Sequence, residues 1–373
     1  MNLRRYVVFF SAVIGVLLIF WGTVWFALIQ PFLFTGFSYG LVVALFWGSF
    51  VFQLVRLIQF RKGDVHPWVV FFNFWVMGFV IHLWCAAVTK QILMNIAFFQ
   101  AHELLLTKTF WALAVVFNSL GVWTALRGPY VITTKIPLPE HASDRLDGLK
   151  IVQISDLHVG PVIQQNYVKS VVQQIQDLRP DLLVFTGDIG DGDSKYYGQE
   201  LLHFSGIHPT LGKFYVTGNH EYMWGYKDWV KSVQTAGIVP LLNQGIQLRD
   251  DLYLAGVHDI SAENFDPAIK SNPIEARGSG IGYKILLAHQ PKSCFQAEQQ
   301  GFDLMLSGHT HNGQFFPFNL VVGFFNPYSR GLNQHGNMKV YVNQGTGFWG
   351  PPLRLGVKSE ISLLILKKQC FSE

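Results

Sequence analysis

Of 373 residues, half are hydrophobic, 15% are aromatic and only 14% are charged, which is too apolar for an ordinary soluble domain of this length. Residues 1–135 hold 11 of the 52 charged residues but 19 of the 32 Phe and 8 of the 11 Trp; they carry nine basic and two acidic side chains, which leaves 19 basic against 22 acidic in the remainder. Positive charge confined to the apolar half and forming no run argues against nucleic acid as a specific partner, and three scattered cysteines, Cys85, Cys294 and Cys370, supply no disulfide framework.

Tyr6 to Ile29 runs for 24 residues without a charge. As a helix it reaches roughly 36 Å, and a hydrocarbon core is about 30 Å thick. Further uncharged stretches, Gly36 to Val55, Val65 to Thr89 and Thr109 to Leu126, are separated by Pro31, the Arg61-Lys62-Gly63-Asp64 cluster and the segment from Lys90 to Lys108. The reading is a transmembrane region over residues 1–130 with four helices, at 6–29, 36–57, 66–89 and 108–126. A cleaved signal is disfavoured, because the first run is long, ends in no small-residue cleavage site and is followed by more spans. If the spans alternate, Arg4, Arg5, Arg56, Arg61, Lys62, Arg127 and Lys135 share one side against Lys90 and Lys108. That asymmetry places both ends in the cytoplasm of an inner-membrane, multi-pass protein. Gly36, Gly40, Ala44 and Gly48 recur every four residues, a spacing that lets helices approach closely. It is read as packing inside the bundle, with a homo-oligomer seam through the second span as the functional alternative. Asn73, His82 and Asn118, polar within the spans, are expected to bond between helices, with a pathway through the bundle as the functional alternative.

Residues 131–147, with Pro137 and Pro139, read as a linker, and residues 148–373 as a second domain of short apolar runs alternating with amphipathic stretches, an α/β pattern. Strands are expected at Leu149–Ser155, Leu182–Thr186, Phe214–Thr217, Leu252–Val257, Ile285–Ala288, Leu304–Ser307, Val340–Asn343 and Ile361–Leu366. Helices are expected at Gln165–Leu178, Tyr226–Ala236 and Lys292–Gln300. Five of these strands end in polar residues: Asp156-Leu-His158, Gly187-Asp188, Gly218-Asn219-His220-Glu221, His289 and Gly308-His309-Thr310-His311. Carboxyl ends of strands are where sites gather in α/β sheets. The oxygen and imidazole donors Asp156, His158, Asp188, Asn219, His289, His309 and His311 are too many for one tetrahedral ion and suit two divalent ions sharing a carboxylate, with Asp188 as the natural bridge. Mixed ligands of this kind admit Mn, Fe, Zn or Co. Arg354 and Asn333 lie in glycine-rich segments that could approach the site, and a surface-loop position is the preferred reading for each.

The ordered set Asp-x-His, Gly-Asp-x-x-Asp, Gly-Asn-His-Glu, His and Gly-His-Thr-His resembles the calcineurin-like metallophosphoesterase superfamily over roughly residues 148–366. More narrowly, LDGLKIVQISDLHVG, VTGNHEYMWG, LLAHQP and GHTHNGQ are similar to its bacterial membrane-associated phosphodiesterase branch. The resemblance implies a two-sheet β-sandwich flanked by helices. It implies one metal held by Asp156, His158, Asp188 and His311, a second by Asp188, Asn219, His289 and His309, His220 as the acid, and Asp191 behind them. Asn312 departs from the glycine usual there and bears on the loop's shape. The implied function is a membrane-anchored dinuclear-metal phosphoesterase, cutting a phosphodiester or pyrophosphate with metal-activated hydroxide. By analogy the phosphate-ester substrate is lipid-linked, with membrane lipids as further partners. A non-catalytic membrane sensor or scaffold is the alternative, and its signature would be a missing ligand or a missing His220. Neither is missing.

Overall fold

The computed structural model describes residues 3–32, 36–59 and 66–368, with side chains from residue 14 onward except at 36–39 and 52–59. Arg61, Lys62, Gly63, Asp64 and Cys370 lie outside the described residues, as do the side chains of Arg4, Arg5 and Arg56. The chain divides into two compact units, Met1–Trp123 with Gly350–Leu353, and Thr124–Trp349 with Arg354–Glu373.

In the first unit, α1 (Leu3–Val24) runs into a π-helical turn (Trp25–Ile29), followed by α2 (Gly36–Gln59), α3 (Pro67–Leu93) and α4 (Glu103–Leu126). Among the described residues two helices, α3 and α4, are long and apolar enough to cross a membrane; the described apolar stretches of α1 and α2, Ile14–Ile29 and Gly40–Val51, are shorter. Two of the four expected spans therefore meet that measure. Trp21, Val24, Leu28, Phe50, Val80, Leu83 and Ala87 pack at the helix contacts. His82 of α3 donates through Nδ1 to Asn118 Oδ1 of α4 at 3.3 Å, the interhelical bond expected of them. Carbonyls at the π turn accept from two side chains, Ala27 from Lys90 Nζ at 2.7 Å and Leu28 from Trp111 Nε1 at 3.0 Å, and Lys90 also pairs with Glu103 at 2.9 Å. Among the described residues nothing covers the small-residue stripe at Gly40, Ala44 and Gly48, which are exposed, with no described atom within 4 Å of where a Cβ on Gly40 or Gly48 would lie; the surroundings of Gly36 lie outside the described residues.

The second unit holds two six-stranded sheets. The first runs in the order β1 (Tyr130–Leu138), β12 (Glu360–Lys368), β2 (Lys150–Ile154), β3 (Leu182–Thr186), β4 (Lys213–Val216), β5 (Val239–Pro240). The second is β10 (Gly331–His335), β11 (Met338–Val342), β9 (Leu304–Ser307), β8 (Tyr283–Leu287), β7 (Leu252–Gly256), β6 (Gln244–Arg249). Both are mixed, with parallel central strands and antiparallel pairs β12–β2, β6–β7 and β10–β11. Side chains alternate across each strand. Leu182 and Val184 of β3 therefore join Leu254, Ile285, Leu287 and Leu306 between the sheets, while Leu183 and Phe185 face outward onto Val168, Val172 and Ile175 of α5 (Gln165–Leu178) and Trp229 and Val233 of α6 (Tyr226–Thr235). On the other outer face Ala255, Leu286 and Met305 meet Cys294 and Ala297 of α7 (Cys294–Gln299). The result is a helix–sheet–sheet–helix sandwich, with all eight expected strands present within two residues at each end. The segment expected as a linker, 131–147, differs: its first part lies in β1, which pairs in parallel with β12 from Tyr130↔Glu360 to Leu138↔Lys368.

Candidate metal centre

Ser155 to His158 follow β2, Gly187-Asp188 follow β3, Gly218 to Glu221 follow β4, His289 follows β8, and Gly308 to His311 follow β9. The first three strands belong to one sheet and the last two to the other, so the site sits where the carboxyl ends of both sheets meet. Gln153 ties those ends together, its Nε2 donating to Thr186 Oγ1 and to the Ser307 carbonyl, each at 2.8 Å. Each strand stops abruptly, because the chain must turn to aim a side chain back at the shared edge. Asp156, His158, Asp188, His309 and His311 all adopt positive φ, between 47° and 70°. Such a conformation costs non-glycine residues about 1–3 kcal/mol and persists only where the surroundings enforce it. Asn312 has φ 48° and ψ 39°, the left-handed conformation that asparagine tolerates best after glycine, so its departure from glycine leaves the turn intact. Gly308 cannot be replaced so simply, since a Cβ there would strike Ser155 Oγ and Asp156 Oδ2.

The structure brings all seven expected donors together. Asp156, His158 and His311 form one group able to hold a metal ion, and Asp188, His289 and His309 another. In the first, His158 Nε2 lies 3.1 Å from His311 Nε2, which is 3.3 Å from Asp156 Oδ1. In the second, His289 Nε2 lies 3.2 Å from each of Asp188 Oδ2, Asn219 Oδ1 and His309 Nδ1. Asp188 Oδ2 is also 4.0 Å from His158 Nε2, so one oxygen stands between the groups.

The donor chemistry fits divalent cations. His289 Nδ1 donates to the Thr186 carbonyl at 2.8 Å, which aims Nε2 into the site; burial would lower the pKa of this ring, but Asp188 outweighs it and raises the pKa well above the usual imidazole range, so a bound cation would take the place of its Nε2 proton. That nitrogen meets a carboxylate oxygen, an amide oxygen and a second imidazole nitrogen. With that proton gone, four electron-pair donors converge on one point, a set that suits a divalent cation. Burial pushes His158 down to about 3, with His220 adding to the effect, and pushes His309 down to about 4, with His289 adding to it. Both rings are thus neutral ligands near pH 7. Burial would raise Asp156 and Asp188, but neighbouring imidazoles outweigh it and hold both below the usual carboxylate range.

His220 stands beside these groups and forms a third metal-competent cluster with His158 and Asp191. Its backbone N–H donates to Asp188 Oδ1 at 2.8 Å, and its Nδ1 donates to Asp191 Oδ1 at 3.1 Å, an oxygen that also accepts from Trp224 Nε1 at 3.0 Å. The ring is thereby turned so that Nε2 lies 3.9 Å from Asp188 Oδ2. Burial would lower its pKa, but Asp188 and Asp191 more than reverse this and raise it to about 9.

Two contributors, Glu221 and Trp349, were given no role from the sequence, and a third, Arg354, was placed on a surface loop in preference to the site. Glu221 is fully buried, and its two oxygens accept from the backbone N–H groups of Asp188, Ile189, Gly190 and Gly218 at 2.6–3.2 Å. Burial and Asp188 push its carboxyl up to about 7. Its signal was the last letter of Gly-Asn-His-Glu. Arg354, expected on a surface loop, is 1% exposed. Its guanidinium donates to the carbonyls of His311, Gln344, Gly345 and Gly347 and lies 3.1 Å from His311 Nδ1, bracing that ring from behind. Trp349 meets His220 edge-on at 5.5 Å between ring centres. Asn333, in β10, bonds to backbone carbonyls of Arg330 and Gly331 and takes no part.

Residues 149–313 match the family model described as calcineurin-like phosphoesterase. The chain is 33% identical over 271 residues to a "Transmembrane protein with metallophosphoesterase domain" of Danio rerio, covering 69% of this chain and 61% of that protein. It is 37% identical over 252 residues to an uncharacterized metallophosphoesterase of Helicobacter pylori, covering 66% of each, and 35% identical over 242 residues to the Bacillus subtilis metallophosphoesterase YkuE, covering 59% of this chain and 80% of that one. The aligned part thus spans about three fifths to two thirds of the first two relatives. A two-sheet sandwich with metal-competent Asp and His clusters at its strand ends, together with these likenesses, shows that the chain belongs to the calcineurin-like phosphoesterase family.

Proposed function

We propose that the protein is a membrane-anchored phosphoesterase that hydrolyses a phosphodiester or pyrophosphate, with a lipid-linked substrate as the favoured class. The observation that carries the reading is the convergence of Asp188 Oδ2, Asn219 Oδ1, His309 Nδ1 and His289 Nε2, beside a second group of Asp156, His158 and His311. In this reading Asp156, His158, Asp188 and His311 hold one divalent ion, Asp188, Asn219, His289 and His309 a second, and Asp188 bridges. The ions would supply Lewis-acid charge to the phosphoryl oxygens and a water whose pKa falls towards about 7. The chain's own residues do the rest. Asp188 and Asp156 fix the spacing of the charges, Asn219 contributes a neutral oxygen that leaves its ion electrophilic, and His220, held by Asp191, keeps a proton at Nε2 for the departing oxygen.

Membrane anchoring is supported by α3 and α4, by the transmembrane character named for the Danio rerio relative, and by the apolar composition of residues 1–130. The full proposal is four spans within 1–130, a catalytic domain that takes in β1 and runs to residue 373 on the cytoplasmic side of an inner membrane, and a homo-oligomer through the exposed stripe of α2. Hydrolysis of diesters, monoesters, pyrophosphates and nucleotide-linked lipids by the purified full chain, each with Mn, Fe, Zn or Co, tests the function. Diester or anhydride cleavage that chelation abolishes is expected. Inactivity on the whole panel with every metal would remove the enzyme reading.

A further inference from the structure

Most exposed apolar residues of the second unit stand singly, which is ordinary. One group does not. Between Phe316 and Phe325 the side chains of Phe316, Phe318, Leu320, Val321, Phe324 and Phe325 are all exposed, Phe324 at 86% and Phe325 at 70%. Phe318, Leu320, Val321 and Phe324 are borne on two short turns, Phe318–Val321 and Val322–Phe324, with Phe316 just before them and Phe325 just after. The excursion is anchored at both ends beside the metal centre. At its start Gln314 exchanges two hydrogen bonds of 2.8 Å with the backbone of Trp349, whose ring meets His220. At its return the Ser329 carbonyl accepts from Thr310 Oγ1 at 2.7 Å, within the His309-Thr310-His311 run. The tip is therefore solvent-facing while its base is part of the site's rim.

We propose that the segment from Phe316 to Phe325 is a lip that docks on the lipid bilayer, so that phosphoesters carried in the membrane interface are presented to the metal centre. The inference rests on the membrane-anchored reading above and names how that site takes its substrate. Three observations select a bilayer as the occupant. The same chain carries two helices fit to cross a membrane, and only Arg127, Gly128 and Pro129 separate the end of α4 from β1. From Leu304 to Ser359 there is no Asp or Glu, while Arg330 and Lys358 are exposed, so nothing in this stretch repels anionic headgroups. Aromatic and aliphatic side chains in a stretch that holds basic residues and no acids are the composition that partitions into the interface.

Two measurements on the full chain in nanodiscs of phosphatidylethanolamine and phosphatidylglycerol test this. A nitroxide placed through Phe324→Cys, in a background of Cys85→Ser and Cys370→Ser, is compared with one at Ile274→Cys, an exposed apolar residue remote in sequence from the lip. The expected result is that the label at 324 collides with oxygen far more than with a water-soluble nickel chelate, and the label at 274 the reverse. Equal access of the chelate at both positions would overturn the proposal. So would shielding at 324 from both reagents in nanodiscs and in detergent alike, the mark of a second copy or another protein on the lip. The second measurement compares the double variant Phe324→Asp, Phe325→Asp with the wild type on a phosphodiester lipid in vesicles and on soluble bis-nitrophenyl phosphate. The ratio of the two rates should fall at least about tenfold, and an unaltered ratio would count against docking. A wild type inactive on both substrates would remove the hydrolase reading, and the spin labels would still decide the lip.

Discussion

Glu221 offers no atom to a metal, yet it holds the backbone that presents Asp188. Its Oε2 accepts from the N–H groups of Asp188 and Gly218, and its Oε1 from those of Ile189 and Gly190. In Glu221→Gln one oxygen becomes an amide donor facing two buried N–H groups, each left unsatisfied at about 1–3 kcal/mol. The variant should therefore melt several degrees lower and bind Mn more weakly; unchanged melting and unchanged metal titration would show that the loop does not depend on it. Asp188→Asn acts on charge instead of shape. An amide cannot bridge two cations, so metal analysis should find both ions lost, and normal occupancy would sink the assignment. His220→Ala differs again, since its Nδ1 is committed to Asp191 and its ring lies outside the two proposed ligand sets. Metal content should stay while activity falls about 10²–10⁴-fold, as for removal of a general acid. The loss should shrink with nitrophenyl esters, whose leaving groups need no proton. An equal loss for every leaving group would mean that His220 orients or binds instead.

Strand ends are where this fold stores its backbone strain, and one glycine makes the closest approach. Gly308 lies where the end of β9 crosses the end of β2, with Ser155 Oγ and Asp156 Oδ2 in the place a Cβ would take. Gly308→Ala should push the two sheets' ends apart, costing about 1–3 kcal/mol as overpacking does. It should also lower metal affinity, because His309 donates its backbone N–H to both oxygens of Asp156 at 3.0–3.1 Å. Wild-type melting and metal content in that variant would show that the junction yields. The central strands were legible because both faces are buried, which forces unbroken apolar runs such as Leu182 to Phe185. The strands that escaped notice lie at sheet edges or beside them. β6 reads Gln-Gly-Ile-Gln-Leu-Arg and is mostly exposed, β10 reads Gly-Leu-Asn-Gln-His, and β1 alternates exposed and half-buried residues before Pro137. An edge strand needs partners on one side only, so its composition carries little signal. Arg354 was misplaced for a related reason. Its four carbonyl partners come from segments between 311 and 347, and no local pattern announces a cation buried by backbone oxygens.

At the scale of the whole molecule the open physical question is which side of a membrane the phosphoesterase unit occupies, and the charges near α3 and α4 are enough to argue it. Arg61 and Lys62 precede α3, Lys90 and Lys108 flank the connection between the helices, and Arg127 and Lys135 follow α4. Lys90 counts for less than its charge implies, because it is buried and paired with Glu103 at 2.9 Å. The connection between the helices therefore carries little unpaired positive charge, while both flanking ends keep two basic residues each. Basic loops stay in the cytoplasm. Whether or not α1 and α2 also cross as a pair, the segments before α3 and after α4 lie on the same side. A reporter active only outside the cytoplasm should be silent when fused after Glu373 and strongly active when inserted after Asn95, between α3 and α4. The opposite pattern would place the metal centre outside the cytoplasm, where its metal supply and its substrate pool would both be different.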